Sequence, residues 1–339
     1  MINIAQSARN LVMASYCTFL FLGHTLMCKS IKVDTAKAYL KAAVKLFPKH
    51  DWDPTLDVST GIQSQRITDV FHEARRWESM PNRQEPLTVS MVSHLSDIAV
   101  PTHEDSPEKA MADWAALGLL AGFRSSEWCQ PHSNLTMPLS ADITLNCDGT
   151  TKAFIAEDFT LLYKRKRPIA FTNKTTWSQV EYVNIRWRFQ KNGDNGQIIT
   201  WKKTKTYPKF CPVRAVLSIL MRANRLNIKP GEPIAVVVTG PKGRMNTSYI
   251  TSALVSKHLQ QAAKAIYCIT NKRDLVKFSP HSFRVGACVL LFNCGKQPTF
   301  IKKRLRWRSN AFEDYLRNVI QLAKDHTAAI CEAIANAVA

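Results

Sequence analysis

Four side chains near the end of the chain have the types and spacing for chemistry on a phosphate ester: His281, Arg284, Trp307 and Tyr315. His281 and Arg284 are three residues apart, preceded by Ser279 as an N-cap candidate and by Pro280, which suits a first helical position. That spacing predicts both side chains on one face of a helix, close to its N-terminus. Main-chain N–H groups and the helix dipole make such an end attractive to a phosphate. Tyr315 is expected on a second short helix, for which Asn310 and Glu313 have capping-box spacing. A phenol presented beside a histidine, arginines and an indole N–H is a candidate nucleophile for phosphoryl transfer.

The run Pro280-His281-Ser282-Phe283-Arg284-Val285-Gly286-Ala287, followed by Trp307 and Tyr315, resembles the C-terminal box of the tyrosine recombinases, the phage-integrase family. Upstream, Gly122-Phe123-Arg124-Ser125-Ser126-Glu127 resembles the family's first arginine box. The resemblance implies that Arg124 and Arg284 clamp a phosphodiester and that Glu127 holds the first arginine in place. It implies that Trp307 bonds the same phosphate, that His281 bonds it or takes the tyrosine proton, and that Tyr315 attacks phosphorus, without metal ion or other cofactor. Histidine is commoner than tryptophan at the Trp307 position. The eight-residue spacing from Trp307 to Tyr315 is one shorter than in many phage and bacterial members. It is similar to that of recombinases in eukaryotic mobile elements, the Crypton and DIRS groups. Tyr249 and Tyr267 precede the His–Arg box and fit the order worse.

The family carries a catalytic lysine on a β-hairpin. Here Tyr182 to Gln190 reads as a strand rich in aromatic and β-branched residues, residues 191–196 as a turn, and Gln197 to Trp201 as the return strand. Lys191 at the tip is the first candidate for the general acid. Lys203 and Lys205, in Lys203-Thr204-Lys205-Thr206, compete for that role and are otherwise DNA contacts. The exposed-looking run Lys164-Arg165-Lys166-Arg167 reads as a phosphate contact, a nuclear localisation signal or a charged loop. Lys302, Lys303, Arg304 and Arg306 are expected to face phosphate or solvent.

Composition agrees with a polyanionic partner. The chain has 339 residues and a formal net charge of +20. Residues 1–90 carry 11 Lys/Arg against 8 Asp/Glu, and the remainder 35 against 18, so the basic footprint is expected in the C-terminal part. Nine cysteines without small-scaffold spacing fit reduced thiols. Cys129, His132 and Cys147 lack a second ligand pair, so no metal site is expected. Residues 11–28 carry no charge, but Ser15, Thr18, Gly23, His24 and Thr25 interrupt the run. A buried first helix is expected there rather than a membrane span.

Helical periodicity is clear over 34–47, 62–77 and 87–98, giving four helices with the first, as in a small bundle. The fold class expected is mainly α with a small antiparallel sheet (α+β). By resemblance it is a helical, SAM-like core-binding domain over 1–85 and a recombinase catalytic domain over 86–320. A C-terminal helix over 321–339 would dock on a neighbouring protomer, as the resemblance implies, or pack on its own domain. The implied partners are double-stranded DNA and further copies of the chain, a tetramer on two DNA sites, with no membrane. The implied location is intracellular, nuclear in a eukaryotic host. The implied function is site-specific recombination or integration through a 3′-phosphotyrosyl intermediate. The competing readings are a recombinase-derived DNA-binding protein that no longer cleaves and a type IB topoisomerase-like enzyme.

Overall fold

The computed structural model describes residues 2–23, 31–45, 53–57, 59–78, 83–130, 151–190, 193–240 and 246–316, with residues 327, 330 and 331. The chain divides into two compact units, Met1–Asn82 and Arg83–Ala339. The architecture is mainly helical with small antiparallel sheets.

The first unit holds α1 (Ile2–Phe21), α2 (Val33–Val44) and α3 (Gln65–Trp77). Its core is a single apolar cluster that includes Met13, Cys17, Leu20, Ala36, Leu40, Ile67 and Phe71. The expectation of a buried first helix is corrected: Leu11, Val12, Phe19 and Leu22 are exposed. Two neighbouring helices can cover only one face of a third, so the uncharged part of α1 is buried on one side only. Among the described residues, no helix is long and apolar enough to cross a membrane. The fourth periodic segment, α4 (Val89–Ala99), lies in the second unit. It packs on helices of the second unit, where Met91, Val92, Leu95 and Ala99 are buried.

In the second unit, α5 (Pro107–Ala121) is the central helix, with nine of its residues buried. Its start is set by Ser106, whose hydroxyl accepts from the Lys109 N–H at 3.2 Å, and by Pro107 in the first turn. Its end is set by Gly122, which adopts the left-handed conformation at φ 60° that a C-terminal cap requires. A four-residue helix, α6 (Ser125–Trp128), follows. Next come β1 (Phe159–Leu162), β2 (Pro168–Ile169), β3 (Tyr182–Trp187) and β4 (Gln197–Lys202), an antiparallel sheet in the order β2-β1-β3-β4. Val183, Ile185 and Trp187 alternate inward along β3, and Ile199 and Trp201 along β4.

Helix α7 (Pro212–Arg225) packs on α5 and the sheet. It is followed by the hairpin β5 (Val236–Thr239) and β6 (Asn246–Tyr249), then α8 (Ser252–Tyr267) and the short α9 (Lys272–Leu275). Last come α10 (Ser282–Asn293), α11 (Pro298–Leu305) and α12 (Glu313–Leu316). The final helices gather around a separate small core of Ala287, Cys288, Ile301, Leu305, Phe312 and Leu316, with Trp307 and Tyr315 packed against it. The expected docking helix over 321–339 lies almost wholly outside the described residues.

Candidate active site

The end of α5 and the start of α6 place the first arginine. Gly122 turns the chain, and Arg124 becomes the N-cap residue of α6. Glu127, 2% exposed, reaches back so that its Oε2 accepts from the Arg124 main-chain N–H at 2.9 Å. Its Oε1 accepts from Arg124 Nη1 at 3.1 Å, and the Arg124 side chain remains 22% exposed. The carboxylate is therefore buried and anchored, while the guanidinium that it holds still reaches the surface.

The second arginine stands at the start of α10. The helix begins two residues later than the sequence predicts: Pro280 and His281 lie in a tight turn closed by the Ser282 N–H donating to the Ser279 carbonyl at 2.8 Å. Ser279 still serves as a local cap, its Oγ accepting from the His281 N–H at 3.3 Å. Gly286 lets α10 lie against the main chain at Leu87, where an added Cβ would sit 2.2 Å from the Leu87 carbonyl oxygen. Arg284 is 2% exposed and donates through Nη1 to the Gly122 carbonyl at 3.0 Å. Its guanidinium lies 4.0 Å over the Trp307 ring. Arg284 Nη2 and Trp307 Nε1 are buried and bond nothing among the described residues.

Tyr315 Oη lies 2.8 Å from His281 Nε2. The two rings meet edge-on at 5.6 Å, and Trp307 covers the phenol at 5.5 Å. The short helix carrying Tyr315 is not started by a capping box. Only the main-chain bond from Glu313 N–H to Asn310 carbonyl forms, and the Asn310 side chain accepts from Lys302 Nζ at 3.0 Å. Burial, then the charges of Arg284 and Arg124, lower the His281 pKa, so the imidazole is neutral at pH 7. Burial raises the Tyr315 pKa against the opposing pull of Arg284. Burial and the neighbouring Arg124 and Arg306 push Arg284 down to about 9, which leaves it charged at pH 7.

Arg306 departs most from expectation. Its side chain is fully buried rather than facing phosphate or solvent. It occupies the left-handed cap of α11 at φ 60°, and from there turns inward. It donates to the Ala121 carbonyl at 3.1 Å and to Glu127 Oε2 at 2.9 Å, with its guanidinium 3.9 Å over the Trp187 ring. Trp187 Nε1 donates to the same Glu127 oxygen at 3.2 Å. The only trace of this in the sequence is the apolar pair Ile301 and Leu305, which marks the buried side of α11. A left-handed arginine directly after it has no periodic signature.

Of the lysine candidates, Lys191 lies outside the described residues. Lys203 is not placed to meet a phosphate. Its side chain is 4% exposed, donates to the carbonyls of Trp177 and Ser178 at 3.3 Å each, and lies 3.4 Å from Glu181. Lys205 is exposed. Lys164, Arg165, Lys166 and Arg167 form the exposed turn between β1 and β2. Lys302 is half-buried on Asn310 and Lys303 is exposed. Asp194, in the segment before β4, pairs with Arg308, the residue next to Trp307. Cys129 is buried with its thiol pushed up to about 12 by desolvation and bonded to the Ser125 carbonyl. His132 and Cys147 lie outside the described residues.

No protein-family model matches the chain, and no curated protein matches it. Among solved structures it is similar to the XerH site-specific recombinase in a post-cleavage complex with a palindromic difH substrate. That match has 13% identity and a TM-score of 0.48, covering 94% of this chain and 71% of that one. It is also similar to the Tn1549 transposon integrase in complex with transposon right-end DNA, at 14% identity and a TM-score of 0.38, covering 98% and 94%. A pre-cleavage complex of XerH with difH gives 13% identity and a TM-score of 0.40, covering 96% and 79%.

Proposed function

We propose that the protein is a site-specific DNA recombinase or integrase with a tyrosine nucleophile, encoded by a mobile element. The observation that carries this is Tyr315 Oη held 2.8 Å from His281 Nε2, beside a buried Arg284 whose Nη2 bonds nothing among the described residues. A phenol next to a neutral imidazole has a proton acceptor. A buried guanidinium and an indole N–H with unused donors have a use for an anion.

In the step proposed, a backbone phosphate lies against Arg124, Arg284 and Trp307. The guanidinium forks bond its non-bridging oxygens more strongly as charge grows in the pentacoordinate transition state. Tyr315 Oη forms the bond to phosphorus and its proton passes to His281. The bond from phosphorus to the 5′ oxygen breaks, and that oxygen takes its electron pair and a proton from a lysine, for which Lys191 is the candidate. The phosphotyrosyl ester conserves the bond energy, so a second strand's 5′ hydroxyl reverses the step. Joining to a different strand is recombination, and four copies on two DNA sites are the assembly that would perform it.

The test uses a pool of nicked duplexes of randomised sequence, from which the short fragment beyond the cleavage point is lost. The wild type is expected to retain DNA through a denaturing wash, and Tyr315→Phe to retain none. Retained binding without covalent capture in the wild type would instead indicate a DNA-binding protein that does not cleave. Relaxation of a supercoiled plasmid without exchange between two sites would indicate a topoisomerase-like enzyme.

A further inference from the structure

Arg306 is absent from the catalytic set that the chemistry requires, yet its side chain is fully buried beside that set. Its backbone takes a left-handed conformation that glycine adopts without strain, so its side chain must account for its presence. That side chain ends on Glu127, the carboxylate that holds Arg124.

The two Glu127 oxygens are divided. Oε2 takes Arg306 Nη2 at 2.9 Å, Trp187 Nε1 at 3.2 Å and the Arg124 main-chain N–H at 2.9 Å. Oε1 is left to the Arg124 guanidinium at 3.1 Å. With two cations and one carboxylate, this cluster keeps one net positive charge. Without Arg306 the Arg124–Glu127 pair is neutral, and a buried carboxylate with one cation pulls that cation inward. Arg306 also donates to Ala121 at the end of α5, one residue before the carbonyl that takes Arg284. The same contact therefore fixes the segment entering Trp307 and Tyr315 against the helix end from which both other arginines are placed.

We propose that Arg306 is a positioning residue: by neutralising Glu127 from behind, it leaves Arg124 with its charge and its aim toward the phosphate. This rests on the recombinase reading of the site. It predicts a defect in phosphate handling that removing the Glu127 charge repairs, which a purely structural role does not.

The experiment compares the wild type, Arg306→Met, the double variant Arg306→Met with Glu127→Gln, and Arg306→Lys. Covalent capture is read at saturating nicked duplex, and thermal stabilisation by inorganic phosphate is read without DNA. Arg306→Met is expected to slow capture by about 10²-fold, the effect of losing one transition-state contact. Its affinity for duplex should stay within about threefold of the wild type, because the loss falls on the rate rather than on binding. Glu127→Gln in that background is expected to restore at least about tenfold of the rate and the stabilisation by phosphate. Arg306→Met cleaving like the wild type, or a double variant no better than the single one, overturns the proposal. If Arg306→Met does not fold, Arg306→Lys decides. It keeps the charge, so its capture rate should stay within about tenfold of the wild type, and a larger loss overturns the proposal. If the wild type captures no DNA, the recombinase reading fails, and the phosphate-dependent stabilisation still reports on Arg306.

Discussion

Arg284 and Arg306 both bond the end of α5, at the carbonyls of Gly122 and Ala121, and both stack on a tryptophan. Their surroundings then diverge. Arg306 faces the inner layer of the site, where Glu127 supplies a counterion and Trp187 a flat apolar wall. Arg284 faces the layer that contains His281, Trp307 and Tyr315, and no carboxylate pairs with it among the described residues. A buried cation with its counterion is part of the scaffold. A buried cation without one is costly to maintain, and that cost is recovered when an anion arrives. The contrast separates the residues that build this site from those that would work in it.

The sharpest way to break the comparison is to remove one cation from each layer. Arg284→Ala is expected to reduce covalent capture by about 10²–10³-fold. Arg284→Lys should recover little of this, because an ammonium cannot replace a two-pronged donor. On the inner layer, Glu127→Ala strands a fully buried Arg306 and is expected to cost about 3–5 kcal/mol of folding stability, measured by chemical denaturation. A variant with unchanged stability would mean that Glu127 is not a structural anion.

Gly286→Ala tests the seat of the Arg284 helix. Its new Cβ meets the Leu87 carbonyl oxygen at 2.2 Å, so main chain must move, at about 1–3 kcal/mol. Capture should fall as α10 shifts, whereas binding of duplex should persist.

Titration separates the layers further. His281 has a lowered pKa in the folded protein. The unfolded chain therefore binds the proton first, and His281's contribution to stability is lost as pH falls from the ordinary imidazole range toward the folded value. Unfolding free energy should drop across that window in the wild type and drop less in His281→Asn. The acid limb of the capture rate should fall below the ordinary imidazole range for the same reason. The smallest effect is expected from Arg308→Ala, since Arg308 and Asp194 pair on the surface. The unfolding midpoint should not move measurably.

The outer layer was readable in the sequence because its chemistry depends on residue type. His281, Arg284, Trp307 and Tyr315 stand out by identity and order, and the structure brings them together. The helix starts two residues beyond its expected position because Ser279 and Ser282 close a turn that Pro280 alone does not reveal. The inner layer was not readable, since a left-handed residue breaks the periodicity from which burial is inferred. Lys203 departs from the expected DNA contact, although its position directly after β4 already marks its direction. It continues the inward parity of Ile199 and Trp201, which points its side chain at Glu181 rather than at solvent. The first unit was placed by its helical pattern alone. The fourth periodic segment, α4, belongs to the second unit, because Met91, Val92 and Leu95 find their partners on α5 and α8.

The central claim is that the Tyr315 hydroxyl becomes covalently joined to DNA. Wild-type protein captured on the nicked duplex pool can be digested with protease and nuclease, and the nucleotide-bearing peptide sequenced by mass spectrometry. The account predicts one modified peptide, with the nucleotide on Tyr315. A nucleotide on any other residue would contradict it, as would a captured complex in which the Tyr315 peptide is recovered unmodified.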